Sequence, residues 1–196
     1  MNLANKLTLG RIFLVPVFLL FIAAKAIPYG TFIATFIFIL ASLTDKLDGY
    51  IARSRNQITT FGKFMDPLAD KLLVTSALIS LVELQVVPAW AAFVIIAREF
   101  AISGLRTIAA SEGKIIAASW WGKIKTVIQI VAIIVLLLQV NIAESAYLGS
   151  LVTNIEFFKV FFKYMPQILL DVAVIITIVS GVDYFRKNKN TISTEK

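Results

Sequence analysis

Six apolar runs, most of them near the length of a bilayer crossing, leave this chain few folds other than a bundle of membrane-spanning helices. They extend from about Leu7 to Ala24, from Thr31 into a charged window beginning at Asp45, and from Asp66 to Leu84. Three more run from Ala89 to Ala110, Trp121 to Val140 and Ile168 to Phe185. A hydrocarbon core of ~30 Å takes about 20 helical residues to cross. The 196 residues are therefore consumed by the spans, with no room for a separate soluble domain. Only 16% of residues are charged, below the roughly 25% of ordinary soluble domains. The expected fold is all-α: a polytopic membrane protein with six transmembrane helices, forming one domain over residues 1–196.

The basic residues sort by side. Lys6 and Arg11, then Arg53, Arg55 and Lys63, then Lys114, Lys123 and Lys125, then Arg186, Lys187, Lys189 and Lys196 fall on one side of an even number of spans. Lys25, Lys159 and Lys163 fall on the other. The positive-inside rule then places both termini in the cytoplasm, with the protein in the cell membrane. The net charge of +7 is accounted for by topology, so no nucleic acid is expected as a partner. The segment Asn141 to Met165, with its "FFKVFFKYM", is too short and too basic to span and reads as an interfacial helix on the outer face. Trp90, Trp120 and Trp121 sit at expected helix starts as interfacial anchors. Asp171, inside the sixth run, is expected to pair with a basic residue of a neighbouring helix. The basic start, apolar run and "AAKA" imitate a cleaved secretory signal; a mature start near Ile27 would be incompatible with six spans.

The window "DKLDGYIARSRNQITTFGKFMDPLAD", Asp45 to Asp70, puts four aspartates at the edge of apolar runs, where an uncompensated carboxylate is costly. Residues three or four apart on a helix share a face, so Asp45 with Asp48 and Asp66 with Asp70 form two pairs. Gly49 and Ala52 continue the first pair's face with almost no side chain, and Arg53 ends it. Asp66, followed by Pro67, reads either as an N-cap or as an interior residue of a helix capped by Thr59 or Thr60. Two like charges ~5 Å apart at an effective dielectric of ~20 repel by roughly 3 kcal/mol. The chain has no His and no Cys. Hard divalent cations on oxygen ligands would relieve the repulsion while leaving the carboxylates ionised. Protonation, or aspartates paired with Lys46, Arg53, Lys63 and Lys71, are the other readings.

The spacing D-x2-D-G-x2-A-R-x8-G-x3-D-x3-D, filled by Asp45, Asp48, Gly49, Ala52, Arg53, Gly62, Asp66 and Asp70, resembles the signature of the CDP-alcohol phosphotransferases. The resemblance implies a membrane enzyme that moves an alcohol-phosphate unit from a CDP-activated donor to a second alcohol and releases CMP. It implies two Mg2+ (or Mn2+) ions held by Asp45, Asp48, Asp66 and Asp70, with Asp70 also the general base. It further implies a nucleotide site formed by Asp45, Asp48, Gly49, Ala52, Arg53 and Gly62, an active site facing the cytoplasm, and a homodimer. Asn5 and Thr8 read either as closing over the nucleotide or as helix caps.

The stretches "NLANKLTLGRIFLVPVF", "IAREFAISGLRTIAASEGK" and "WWGKIKT" are similar to bacterial members of that family whose donor is CDP-diacylglycerol and whose acceptor is glycerol 3-phosphate. With the signature, they cover most of residues 2–126. A dianionic acceptor needs cations near the aspartates, and Arg106, Lys123 and Lys125 are the expected set. For the two lysines, ordinary positive-inside topology is the competing account. Arg98, beside Glu99, is either a further acceptor contact or a structural charge. Inositol phosphate, serine or phosphatidylglycerol as acceptor, and a divalent-cation transporter, are the alternatives. Transporters place such ligands near the midplane, often in two related halves, whereas these aspartates share one face and no internal repeat is visible.

Overall fold

The computed structural model describes the backbone of residues 3–24, 26–54, 60–111, 113, 116 and 119–188, and side chains within these ranges except at 3–4, 45–54, 60–64, 66 and 111. Among the described residues there are seven helices: α1 (Leu3–Ala23), α2 (Gly30–Ser54), α3 (Thr60–Glu83), α4 (Ala89–Ser111), α5 (Trp120–Glu144), α6 (Ala146–Asn154) and α7 (Glu156–Lys187). Three of them, α1 over Asn5–Ala23, α5 and α7, are long and apolar enough to cross a membrane. The apolar stretch Gly30–Thr44 of α2 is shorter. Large apolar side chains such as Phe13, Phe36, Phe93 and Ile175 are exposed on the outside of the bundle. Helices apolar on their outer as well as their inner faces belong in lipid.

α1 packs on α2 and α3, α5 packs on α7, and contacts of α4 with α7 and of α2 with α5 close the bundle. Phe18 and Phe38 meet with ring centroids 6.1 Å apart, and around them Leu73, Leu78, Leu81, Ile95, Leu136, Leu137 and Leu170 form one core. The connection between α1 and α2 is tight. Tyr29 has φ 61, and a Cβ on Gly30 would stand 2.6 Å from the carbonyl oxygen of Phe21. Only glycine lets the two backbones approach so closely.

Phe21 beside Gly30 and Phe18 beside Phe38 fix an antiparallel register. It sets the first turns of α1 level with the stretch of α2 that begins at Asp45. The buried face of α1 changes character along this register: Ile22, Phe18 and Val15 are followed by Arg11, Thr8 and Asn5, all buried. Toward the other end, α2 and α5 are joined by a polar run. Asn141 Nδ2 donates to Thr35 Oγ1 at 2.9 Å, Thr35 Oγ1 to the Thr31 carbonyl at 2.7 Å, and Thr31 Oγ1 to Glu144 Oε2 at 2.6 Å. Polar groups between apolar helices must be matched in this way.

Several expectations change. The last helix begins at Glu156, twelve residues before the expected Ile168, and carries "FFKVFFKYM" as its first turns. At 1.5 Å per residue its 32 residues extend about 48 Å, beyond one hydrocarbon core. Lysines interrupt hydropathy but not helicity, so the separate interfacial element is confined to α6. Asp66 lies inside α3, which starts at Thr60, and is not an N-cap. Asp171 is exposed and accepts from Gln167 Nε2 of its own helix at 2.9 Å, instead of a basic residue of a neighbour. The tryptophans open α4 and α5 and are exposed.

Gly30→Ala should force α1 and α2 apart and destabilise the protein by about 1–3 kcal/mol. Gly104→Ala, whose Cβ would meet nothing within 4 Å, should leave stability unchanged or slightly raised. Thermal unfolding of both variants in detergent checks the contrast.

Candidate active site

Arg98 and Glu99 are consecutive on α4 and face the seam between α5 and α7. Glu99 Oε1 accepts from Lys125 Nζ of α5 and, at 3.4 Å, from Arg98 Nη1. Arg98 Nη2 donates to Ser180 Oγ of α7 at 2.5 Å. Lys125 is only 1% exposed, a burial that an ammonium tolerates only when paired. Two glycines border Arg98, each with space for a Cβ at ordinary contact distance. A Cβ on Gly122 would lie 3.7 Å from Arg98 Nη2, and one on Gly181 would lie 3.4 Å from Arg98 Cγ. The chain Lys125, Glu99, Arg98, Ser180 thus ties α5, α4 and α7 together at one level.

Above this chain opens a cleft of about 250 Å³. Asp70 and Lys71 enter it from α3, Arg98, Glu99, Ser103 and Arg106 from α4, Lys123 and Thr126 from α5, and Tyr184 from α7. α5 starts here because Ser119 caps it, its Oγ accepting from the Gly122 amide at 3.1 Å. Among the described lining residues four cations stand against two carboxylates, an excess of two positive charges. Glu99 is shared by Lys125 and Arg98, so Lys71, Arg106 and Lys123 are the lining cations it does not hold. A wall of that charge suits a dianion such as a phosphate monoester. Asp70 also borders a smaller cavity of about 20 Å³ shared with Lys71, Glu99, Lys125 and Gln129, room for about one water molecule.

The residues expected from the sequence are distributed as follows. Asp70, Arg106 and Lys123 line the one cleft. Lys125 lies beneath it in the ion pair with Glu99, and both lysines belong to the first two turns of α5, not to a loop. Asn5 and Thr8 are buried on α1 within the helix, past its first residue. Asp45, Asp48, Gly49, Ala52 and Arg53 are on the last turns of α2, and Gly62 and Asp66 on the first turns of α3; their side chains lie outside the described residues. Among the described residues no three acidic side chains cluster to hold a metal. Each pair nevertheless sits on one continuous helix, at spacings of three and four residues, and its donors are all carboxylate oxygens. That donor set fits a hard divalent ion.

Arg11, Glu99, Ser180 and Tyr184 were not singled out by the sequence as site residues. Arg11 was legible in principle, because Asn5, Thr8 and Arg11 recur every three residues on one face. Tyr184 reaches the cleft, and Ser180 reaches the guanidinium of Arg98, only through the packing of α7 on α4 and α5.

An apolar helical bundle with a cation-rich cleft over an aspartate-bearing helix defines a class: membrane proteins built to hold phosphorylated ligands at one end. Comparison with known proteins narrows it. The family model of CDP-alcohol phosphatidyltransferase matches residues 1–180, and the chain belongs to that family. It is 44% identical to the CDP-diacylglycerol--glycerol-3-phosphate 3-phosphatidyltransferase of Bacillus subtilis over 98% of both chains. It is 37% identical to the protein of that name from Rickettsia bellii over 96% of both. It is 38% identical to the probable phosphatidylglycerophosphate synthase of Mycobacterium tuberculosis over 93% of this chain and 79% of the relative.

Lys125→Met should leave Glu99 only its longer contact with Arg98 and destabilise the protein by about 3 kcal/mol, and Glu99→Gln should leave the Lys125 ammonium buried without a charge partner at a similar cost. The double variant should recover about 2 kcal/mol of the summed loss. A double-mutant cycle by thermal unfolding measures the coupling.

Proposed function

We propose that this chain transfers the phosphatidyl group of CDP-diacylglycerol to sn-glycerol 3-phosphate, forming phosphatidylglycerophosphate and CMP. The observation that carries the reading is the placement of Asp70 in the same cleft as a twofold excess of positive charge. The printed names of relatives similar over nearly the whole chain support it. A zwitterionic acceptor such as serine would leave that excess unmatched.

The acceptor phosphate seats against Arg106 and Lys123, with Arg98 behind them, and a hydroxyl of the same molecule turns toward Asp70. Asp70 takes the hydroxyl proton as the oxygen bonds to the β-phosphorus of the donor. The bond from that phosphorus to the bridging oxygen breaks, and CMP leaves with the electron pair. A carboxylate is a weak base, so its contribution depends on position and on late proton transfer. Asp45, Asp48, Asp66 and Asp70 would hold two Mg2+ or Mn2+ ions, which when bound supply charge neutralisation at the donor pyrophosphate. Asp45, Asp48, Gly49, Ala52, Arg53 and Gly62, with Asn5 and Thr8 on the facing helix, would make the nucleotide site.

The same reading has six spans, α1 to α5 and α7, in the cell membrane. α2 ends in the charged window, and α3 and α4 carry charges of the site within them, Asp70 and Lys71 in one and Arg98, Glu99 and Arg106 in the other. Both termini and the cleft would face the cytoplasm, and the protein would act as a homodimer among membrane lipids.

Purified protein given CDP-diacylglycerol, glycerol 3-phosphate and Mg2+ should release CMP and form the phosphorylated lipid; no CMP release with this acceptor would overturn the reading. Asp70→Asn should lower kcat by about 10²–10⁴-fold while nucleotide binding persists. Arg106→Ala should raise the glycerol 3-phosphate KM at least about tenfold, as expected for a lost charged hydrogen bond. For orientation, Tyr147→Cys should react with an impermeant maleimide in intact cells, and Lys187→Cys only after permeabilisation.

A further inference from the structure

Tyr184 is large, 3% exposed and polar at its tip. Its ring packs with Ile102 and Leu105 of α4, which accounts for the apolar part of the side chain. Its hydroxyl is buried with no hydrogen-bond partner among the described residues. Such a group costs free energy unless something else bonds it. The phenol borders the cleft that holds Asp70, Arg106 and Lys123, and both Arg106 and Arg98 lie within electrostatic reach of it. A neutral donor that shares one cleft wall with two guanidinium groups is suited to meet an anion's oxygens.

We propose that the Tyr184 hydroxyl donates a hydrogen bond to the acceptor's phosphate, completing an anion site whose charged members are Arg98, Arg106 and Lys123. This rests on the acceptor reading above and extends it to α7, which the aspartate window and its neighbours do not include. A dianionic phosphate has more acceptor positions than three cations need, and a phenol fills one without adding charge. The contact makes Tyr184 a specificity residue, favouring phosphate-bearing acceptors over others of similar size. It is not a catalytic residue, since it touches neither the attacking oxygen nor the donor.

Tyr184→Phe removes only the hydroxyl and keeps the ring in place. A purely structural tyrosine whose hydroxyl bonds nothing predicts no change in any measurement. The proposal predicts that the full-length variant's KM for glycerol 3-phosphate rises about tenfold, the scale of one lost hydrogen bond to a charged group. The KM for CDP-diacylglycerol and the melting temperature without ligand should stay at wild-type values. Inorganic phosphate should lose inhibitory potency by a similar factor, and the rise in melting temperature it gives the wild type should shrink. Unchanged KM and unchanged phosphate inhibition would overturn the proposal, as would a ligand-free melting temperature lowered by several degrees. If the wild type releases no CMP with glycerol 3-phosphate, the acceptor reading fails. The phosphate-induced shift in the two proteins still decides whether Tyr184 serves an anion site.

Discussion

Glu99 is the group on which the polar end of the molecule depends. It is one carboxylate among apolar helices, and it holds a buried ammonium from α5 and a guanidinium from its own helix that reaches on to α7. Removing either partner would leave a charge in a low-dielectric setting at a cost of several kcal/mol. The arrangement also decides how charge is shared. Because Lys125 and Arg98 are held by Glu99, Lys71, Arg106 and Lys123 are the cleft cations that it leaves to meet a ligand.

The rest of the bundle keeps this end in place. α1 carries two faces in one, apolar from Val15 onward and polar from Asn5 to Arg11. Its register on α2, set by the contact at Gly30, sends the polar half to the level of the aspartates. The hydrogen-bonded run from Asn141 to Glu144 satisfies polar groups of α2 and α5 toward the far end. The bundle has an apolar core and joins its helices by polar contacts toward both ends. A cleft at one end can then admit a water-soluble acceptor while the outer faces remain against lipid.

Much of this was legible in the chain because its causes are local. Helix lengths follow from apolar runs, and the pairing of Asp45 with Asp48 and Asp66 with Asp70 follows from helical periodicity. That Arg106 and Lys123 line one cleft was legible because they flank the same connection. The start of the last helix was misjudged because hydropathy responds to lysine while backbone hydrogen bonding does not. Asp171 was assigned a partner on another helix although Gln167, four residues away, was within reach.

By itself, the sequence determined an all-helical membrane chain, the spacing of its paired aspartates, and the family. These depend on composition and on spacings within a single helix. Only the tertiary structure decided that Lys125 is buried against Glu99 while Lys123, two residues earlier, faces the cleft, that Ser180 holds Arg98, and that Tyr184 lines the cleft. The physical reason is sequence distance: 82 residues separate Arg98 from Ser180, and no periodicity within either helix records that α7 packs against α4 and α5.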